Sequence, residues 1–231
     1  MKKEMRIELQ VIGILIVLII GGKLILWPLL GDIHFRKGLR AVSEIEYEEA
    51  VTEFKIALNY KNEAAYFENL AGVYRTMGMS TKNAKNRRKF YEQSVYYYKK
   101  LLNLKPKSAL ALNGIGATCL YMGKDLKDEK FFRSAIENFQ KAIEFEPRLV
   151  ESHTNLATAY YLWGLKEKAL ETYEKARKVN PDSTTIIFNL GMLYYLEKDF
   201  DRAEAEWQGV LKIDPDNLDA GKGLEMLRDK K

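Results

Sequence analysis

A single cysteine, Cys119, two histidines, His34 and His153, and a dense basic run of Lys82, Lys85, Arg87, Arg88 and Lys89 are the residues whose types invite a search for chemistry. No neighbour in sequence would lower the pKa of Cys119, so it reads as a packed thiol and not as a nucleophile. One cysteine excludes a disulfide framework within the chain and any multi-cysteine metal site, and two histidines leave little room for a histidine centre. There is no Gly-rich phosphate loop, no nucleophile elbow and no His-Glu-x-x-His. The carboxylates sit beside lysines at helical spacing, as in EKALETYEKARK at 167–178, which describes solvated helix faces supported by i,i+4 pairs. The sequence therefore predicts no enzyme, no metal, no cofactor and no small-molecule substrate. The basic run leaves three readings open: an anionic lipid surface, attracting it by about 1 kcal/mol per residue near the membrane, an acidic partner, or a solvated extension. No stacking aromatics interleave its charges, which argues against nucleic acid, as does a net charge of only +5.

The elements that would carry these residues emerge from composition and period. With 231 residues, 47% apolar and 30% charged, the chain can bury a core and stay soluble over most of its length. The first thirty residues differ from the rest. A short basic start (1–8) precedes 9–30, which is apolar except for Gln10 and Lys23 and, as a helix at about 1.5 Å per residue, would span about 33 Å, the thickness of a bilayer core. Trp27 and Lys23, one turn apart, suit the headgroup region. The expectation is a transmembrane signal anchor. A cleaved signal is the main alternative, although no small-x-small site follows Gly22 and Leu29-x-Gly31 is the nearest approach. Lys2, Lys3 and Arg6 before the segment nearly balance Arg36, Lys37 and Arg40 after it. The expected placement is a single pass through a bacterial inner membrane with the larger part outside the cytoplasm.

Beyond Gly31 a repeat dominates. Pro147, Pro181 and Pro215 stand 34 residues apart, and the interval recurs in Ala135, Ala169 and Ala203, and in Phe139, Tyr173 and Trp207. Small residues at fixed places allow two helices to approach, large aromatics fill the space between repeats, and proline ends the second helix. The segments NLATAYYLWG with ALETYEKARKVNP (155–181) and NLGMLYYLEK with AEAEWQGVLKIDP (189–215) carry the pattern most fully.

These residues resemble the tetratricopeptide repeat. The resemblance implies an all-α fold, a right-handed solenoid of about five helix-turn-helix repeats over 31–217 (about 31–62, 64–106, 109–147, 150–181 and 184–215) with a capping helix at 218–231. His34 and His153 then fall in the Trp-like fourth slot of their repeats, and Cys119 in a packing slot of the third. Two repeats are long, by about 11 residues after Gly78 and by 7 after Gly123. These surpluses approach whole helical turns, and the expectation is that they extend the second helices at one edge.

The resemblance also implies where a partner would bind. In similar repeat proteins the first helices line a concave groove. The corresponding positions include Leu120 and Tyr121 in the third repeat, Thr158, Tyr161 and Leu162 in the fourth, and Phe188, Met192, Tyr195 and Leu196 in the fifth. Such a surface suits an amphipathic helix or an extended apolar peptide. The fifth positions, Phe35, Glu68, Asn113, Thr154 and Phe188, contain no lysine, so no clamp for a terminal carboxylate is expected. The whole is similar to bacterial membrane-anchored tetratricopeptide proteins that assist assembly or secretion of envelope complexes. The function this implies is a membrane-tethered scaffold for a protein partner. A cytoplasm-facing assembly adaptor and a non-catalytic subunit of a membrane enzyme complex are the alternatives.

Overall fold

The computed structural model describes residues 21–228. Among them are eleven α-helices and no strand. The chain divides into two compact units, Met1–Lys105 and Pro106–Lys231.

The described part of the first unit holds α1 (Trp27–Ser43), α2 (Tyr47–Tyr60), α3 (Ala64–Ser80) and α4 (Ala84–Leu104), folded as two hairpins. A π-helical turn, Gly22–Leu26, runs into α1 through helical backbone at both of its ends. Gly31 and Asp32, where the expected first repeat begins, are inside α1. Gly31 lets α1 settle onto Tyr60, whose Cβ would lie 3.3 Å from an added methyl, and Asp32 accepts a hydrogen bond from the Tyr66 hydroxyl. Residues 9–20 of the expected membrane segment lie outside the described residues. Among the described residues no helix is long and apolar enough to cross a membrane. The core joins Phe54, fully buried, to Leu70, Val73 and Tyr74, with Phe90 and Tyr97 packed against it.

The second unit holds α5 (Ala109–Leu126), α6 (Glu129–Phe145), α7 (Val150–Leu162), α8 (Lys166–Val179), α9 (Thr184–Leu196), α10 (Phe200–Ile213) and α11 (Leu218–Arg228). Local chemistry sets the ends. Ser108, Ser183 and Asp199 each accept a hydrogen bond from a backbone N–H of the helix that follows. Pro106, Pro147, Pro181 and Pro215 each stand two residues beyond the end of a second helix, where a ring without an N–H forbids continuation. Gly164 and Lys198 take left-handed backbone (φ 84° and 63°) in the turns α7–α8 and α9–α10, as Ile45 does (φ 65°) between α1 and α2.

The long repeats differ from expectation. In the last two pairs the helices have 13 and 14 residues; α3 and α4 have 17 and 21, and α5 and α6 have 18 and 17. The surplus lengthens both helices of each hairpin. A second helix extended alone would begin several ångströms beyond the end of its partner, and a turn of two or three residues could not reach it while both apolar faces stayed paired.

One contact recurs at each hairpin with a glycine in its first helix. Trp207 of α10 is completely buried, and a methyl on Gly191 of α9 would lie 2.6 Å from its ring nitrogen. On the other side, a methyl on Gly223 of α11 would lie 2.7 Å from the same ring. Phe54 stands against Gly38 and Phe139 against Gly116 at 2.5 and 2.6 Å.

Replacing a helical glycine by alanine ordinarily stabilises by about 0.5–1 kcal/mol, and Gly209→Ala, whose methyl would meet only Ile187 at 3.8 Å, should do so. Gly191→Ala should instead destabilise by about 1–3 kcal/mol, since the buried indole has nowhere to move. Urea unfolding followed by circular dichroism separates the two signs. The acid limb makes a second prediction. Hydrogen bonds from Arg202 hold Asp199 below the usual carboxylate range, and Lys130 does the same for Asp128. Their contribution is complete above the unfolded pKa and is lost as pH falls through the lower folded value, below about pH 4. Asp199→Asn, which keeps a capping oxygen, should give a shallower fall in urea midpoint between about pH 5 and pH 2.5.

Candidate functional site

In the second unit the first helices touch in series, α5 to α7, α7 to α9 and α9 to α11, whereas α6, α8 and α10 make no comparable contact with one another. The first helices therefore lie on the tighter, concave side of this unit. Its concave surface carries the residues singled out from the sequence, but not all in the same state. Thr158, Leu162 and Leu196 are exposed, the last by 52%. Tyr121, Tyr161, Phe188, Met192 and Tyr195 are half-buried. Leu120 is buried, at 7% exposure; it holds the place of the half-buried Tyr161 and Tyr195, and its shorter side chain does not reach the surface as their rings do, so Leu120 leaves the candidate surface.

Phe188 and Tyr195 serve the core as well as the surface. Their rings lie 6.0 and 5.8 Å from that of Trp207, and the Trp207 indole N–H donates to the Phe188 carbonyl at 3.2 Å. The free apolar surface is thus a strip of Leu162, Met192 and Leu196 edged by these rings. Burial, followed by the nearby Glu197 carboxylate, pushes the Tyr161 phenol up. Glu197 in turn takes Lys166 at 2.6 Å. Toward α5 the surface becomes polar: Asn155 donates to the Asn113 amide oxygen at 3.1 Å, and the Thr158 hydroxyl donates to the Thr154 carbonyl at 2.8 Å. The two asparagines are 42 residues apart, and only the register of stacked helices could have paired them. Asn113 occupies one of the fifth positions, and its side chain is half-buried.

A cleft of about 250 Å³ opens where the turns of the last two pairs meet, floored by Leu170, Leu193 and Tyr194. Four of its charged side chains are paired, Lys166 with Glu197 and Arg202 with Asp199, Glu167 also lines it, and the Arg202 guanidinium lies over the Tyr194 ring at 4.5 Å. Among the described residues no three His, Cys, Asp or Glu side chains gather to hold a metal. Cys119 is buried, with its sulfur 3.6 Å from the Ser134 hydroxyl. His153 is buried and donates to the Pro147 carbonyl at 2.7 Å. His34 stacks on Tyr60 and meets Glu53 at 2.6 Å. All three pack within the fold.

The basic run lies in the first unit, at the α3–α4 turn. Arg87 donates twice to the Thr81 carbonyl, at 3.2 and 2.9 Å, just past the end of α3. Arg88 pairs with Glu92 at 2.9 Å. Lys82, Lys85 and Lys89 are exposed or nearly so. Sequence reasoning missed a further surface at the start of α1 and the turn before it, where Leu26, Leu29, Leu30 and Ile33 are all exposed. Their i, i+3, i+4, i+7 spacing was the available signal, masked because the first three read as the end of a membrane span.

The family model of the tetratricopeptide repeat matches residues 150–183 and again 185–217. No curated protein is similar in sequence. Among solved structures, TTC0263, a thermophilic TPR protein of Thermus thermophilus, is similar with a TM-score of 0.66 and 19% identity over 85% of this chain and 98% of its own. Human IFIT1, in a dimer with PPP-AAAA, gives a TM-score of 0.68 and 25% identity over 86% of this chain and 44% of its own. YrrB, described as a TPR protein with an unusual peptide-binding site, gives 0.52 and 16% over 83% of this chain and 90% of its own. The chain carries tetratricopeptide repeats, and its described helices have the fold of such proteins.

Proposed function

We propose that this chain is a membrane-tethered scaffold that holds a helix or apolar peptide of a partner protein on the concave face of its second unit, assisting assembly or secretion of an envelope complex. The observation that carries the reading is the exposed strip of Leu162 and Leu196 beside Met192, edged by Tyr161, Phe188 and Tyr195. Apolar side chains left in water on a concave surface gain by burial against a partner, at about 25 cal/mol per Å². Rings already fixed by Trp207 lose little freedom when the partner arrives. The YrrB description, a peptide-binding TPR protein, supports a peptide as occupant. Tethering is supported by the apolar sequence of 11–20 and by the exposed Leu26, Leu29, Leu30 and Ile33 that follow it on a helix. Lys23 over the Trp27 ring at 5.5 Å gives that segment an interfacial pair. A tether raises the local concentration of a weak groove near membrane partners. We place the second unit outside the cytoplasm of a bacterial inner membrane.

Leu162→Glu with Leu196→Glu should abolish capture of the partner identified by cross-linking from this groove, with the unfolding free energy within about 0.5 kcal/mol of the parent, because both sites are exposed. Phe188→Ala and Tyr195→Ala should weaken capture but also destabilise by about 1–3 kcal/mol, since each removes a ring from Trp207. Capture that survives the double glutamate variant would move the site off this face. For placement, fusions at Lys231 should give active alkaline phosphatase and dark green fluorescent protein. The opposite pattern would put the groove in the cytoplasm.

A further inference from the structure

The α3–α4 tip carries an arrangement that the fold itself disfavours. Lys85, Arg87, Arg88 and Lys89 crowd the first turns of α4, and its first turn holds no acidic residue. The N-terminus of a helix already bears partial positive charge, so cations there repel both it and one another. Two of the run are engaged, Arg87 on the Thr81 carbonyl and Arg88 on Glu92. Lys82, Lys85 and Lys89 face solvent, and among the described residues no ion pair is made by them. The neighbouring turn of the first hairpin bears Glu44, Glu46, Glu48 and Glu49. Phe90, like Tyr47 and Val51 of α2, packs against the core of this unit, and residues 82–89 come before it at the free end of the α3–α4 hairpin.

The position of the tip selects among anions. Trp27 packs on Tyr60 at 5.9 Å, and Asp32 meets Tyr66, so the start of α1, the end of α2 and the start of α3 share one end of the first unit. The tip is at the other. Counting from Trp27 to the Tyr66 level and then along α3 to Ser80, at about 1.5 Å per residue, puts them about 30 Å apart. Charges in solution are screened over about 8 Å at physiological ionic strength. If α1 continues into a bilayer, as the proposed tether requires, this tip is held several screening lengths from its headgroups.

We propose that Lys82, Lys85 and Lys89, with Arg88, form a second interaction surface that takes an acidic segment of a partner protein. The choice of protein over lipid rests on the tether; the existence of an anion-binding tip does not. An Asp/Glu-rich segment would remove the repulsion among the lysines and complement the N-terminus of α4 together.

The test uses the full chain in phosphatidylcholine nanodiscs and a fluorescent octaglutamate peptide at about 0.15 M salt. Anisotropy should show binding that weakens as salt rises, and the triple variant K82E/K85E/K89E should weaken it at least tenfold. A control reversal with equal charge change, K141E/K178E/K212E, should leave it within twofold. The triple variant should also raise the unfolding midpoint of the chain, since it relieves the first turn of α4. Equal losses in the two triple variants, or none in either, would overturn the proposal. A fluorophore on Lys85→Cys, in a Cys119→Ser background, should transfer little energy to headgroup-labelled vesicles containing phosphatidylglycerol. Strong transfer would assign the tip to lipid and overturn the protein partner. Failure of the chain to float with vesicles would remove the tether alone, with the octaglutamate comparison still deciding the anion site.

Discussion

The fold depends on a ring pressed against a residue that has no room for a side chain of its own. In the first helix of each pair the facing place is held by Gly38, Ala71, Gly116, Ala157 or Gly191, every one of them buried. In the second helix the aromatic is Phe54, Tyr98, Phe139, Tyr173 or Trp207. Where a glycine stands, the ring comes so close that a methyl group would overlap it. The two alanine pairs both carry tyrosine. Because interiors are packed at crystal-like density, this one distance sets how near the two helices of a pair can lie. It also places the neighbouring side chains of the first helix, those on the concave face.

Much of this was legible in the residues. A period of 34 with small, aromatic and proline places defined the helix pairs, and the prolines stand where the second helices end. The packing roles of Cys119, His34 and His153 followed from their slots. Three features were not legible. The division of the extra residues between both helices of the long hairpins is a closure condition on a turn, which no single helix encodes. The burial of Leu120 is not shared by Tyr161 and Tyr195, which hold the same place in their helices and remain half-buried. The Asn113–Asn155 hydrogen bond joins residues of different pairs, and only stacking brings them together.

The concave strip shows how a surface and a core can share residues. Phe188 and Tyr195 present one edge outward and rest the remainder on Trp207. Such rings are rigid before any partner arrives, which lowers the entropy lost on binding. The exposed leucines beside them carry no packing duty. If the strip holds a partner as proposed, affinity can change at Leu162 and Leu196 without disturbing the fold, and much less so at the rings.

Trp207 has a consequence for the modularity of the chain. Its indole is larger than the phenylalanine or tyrosine of the other pairs, and it reaches the next helix at Gly223. In the preceding first helices the places 34 and 68 residues earlier are Asn189 and Asn155. At this place α11 has a glycine that admits the tryptophan, where α7 and α9 carry an amide. With Tyr173 in place of Trp207 the space beside Gly223 would be left partly empty, so the last two pairs are not interchangeable in front of α11.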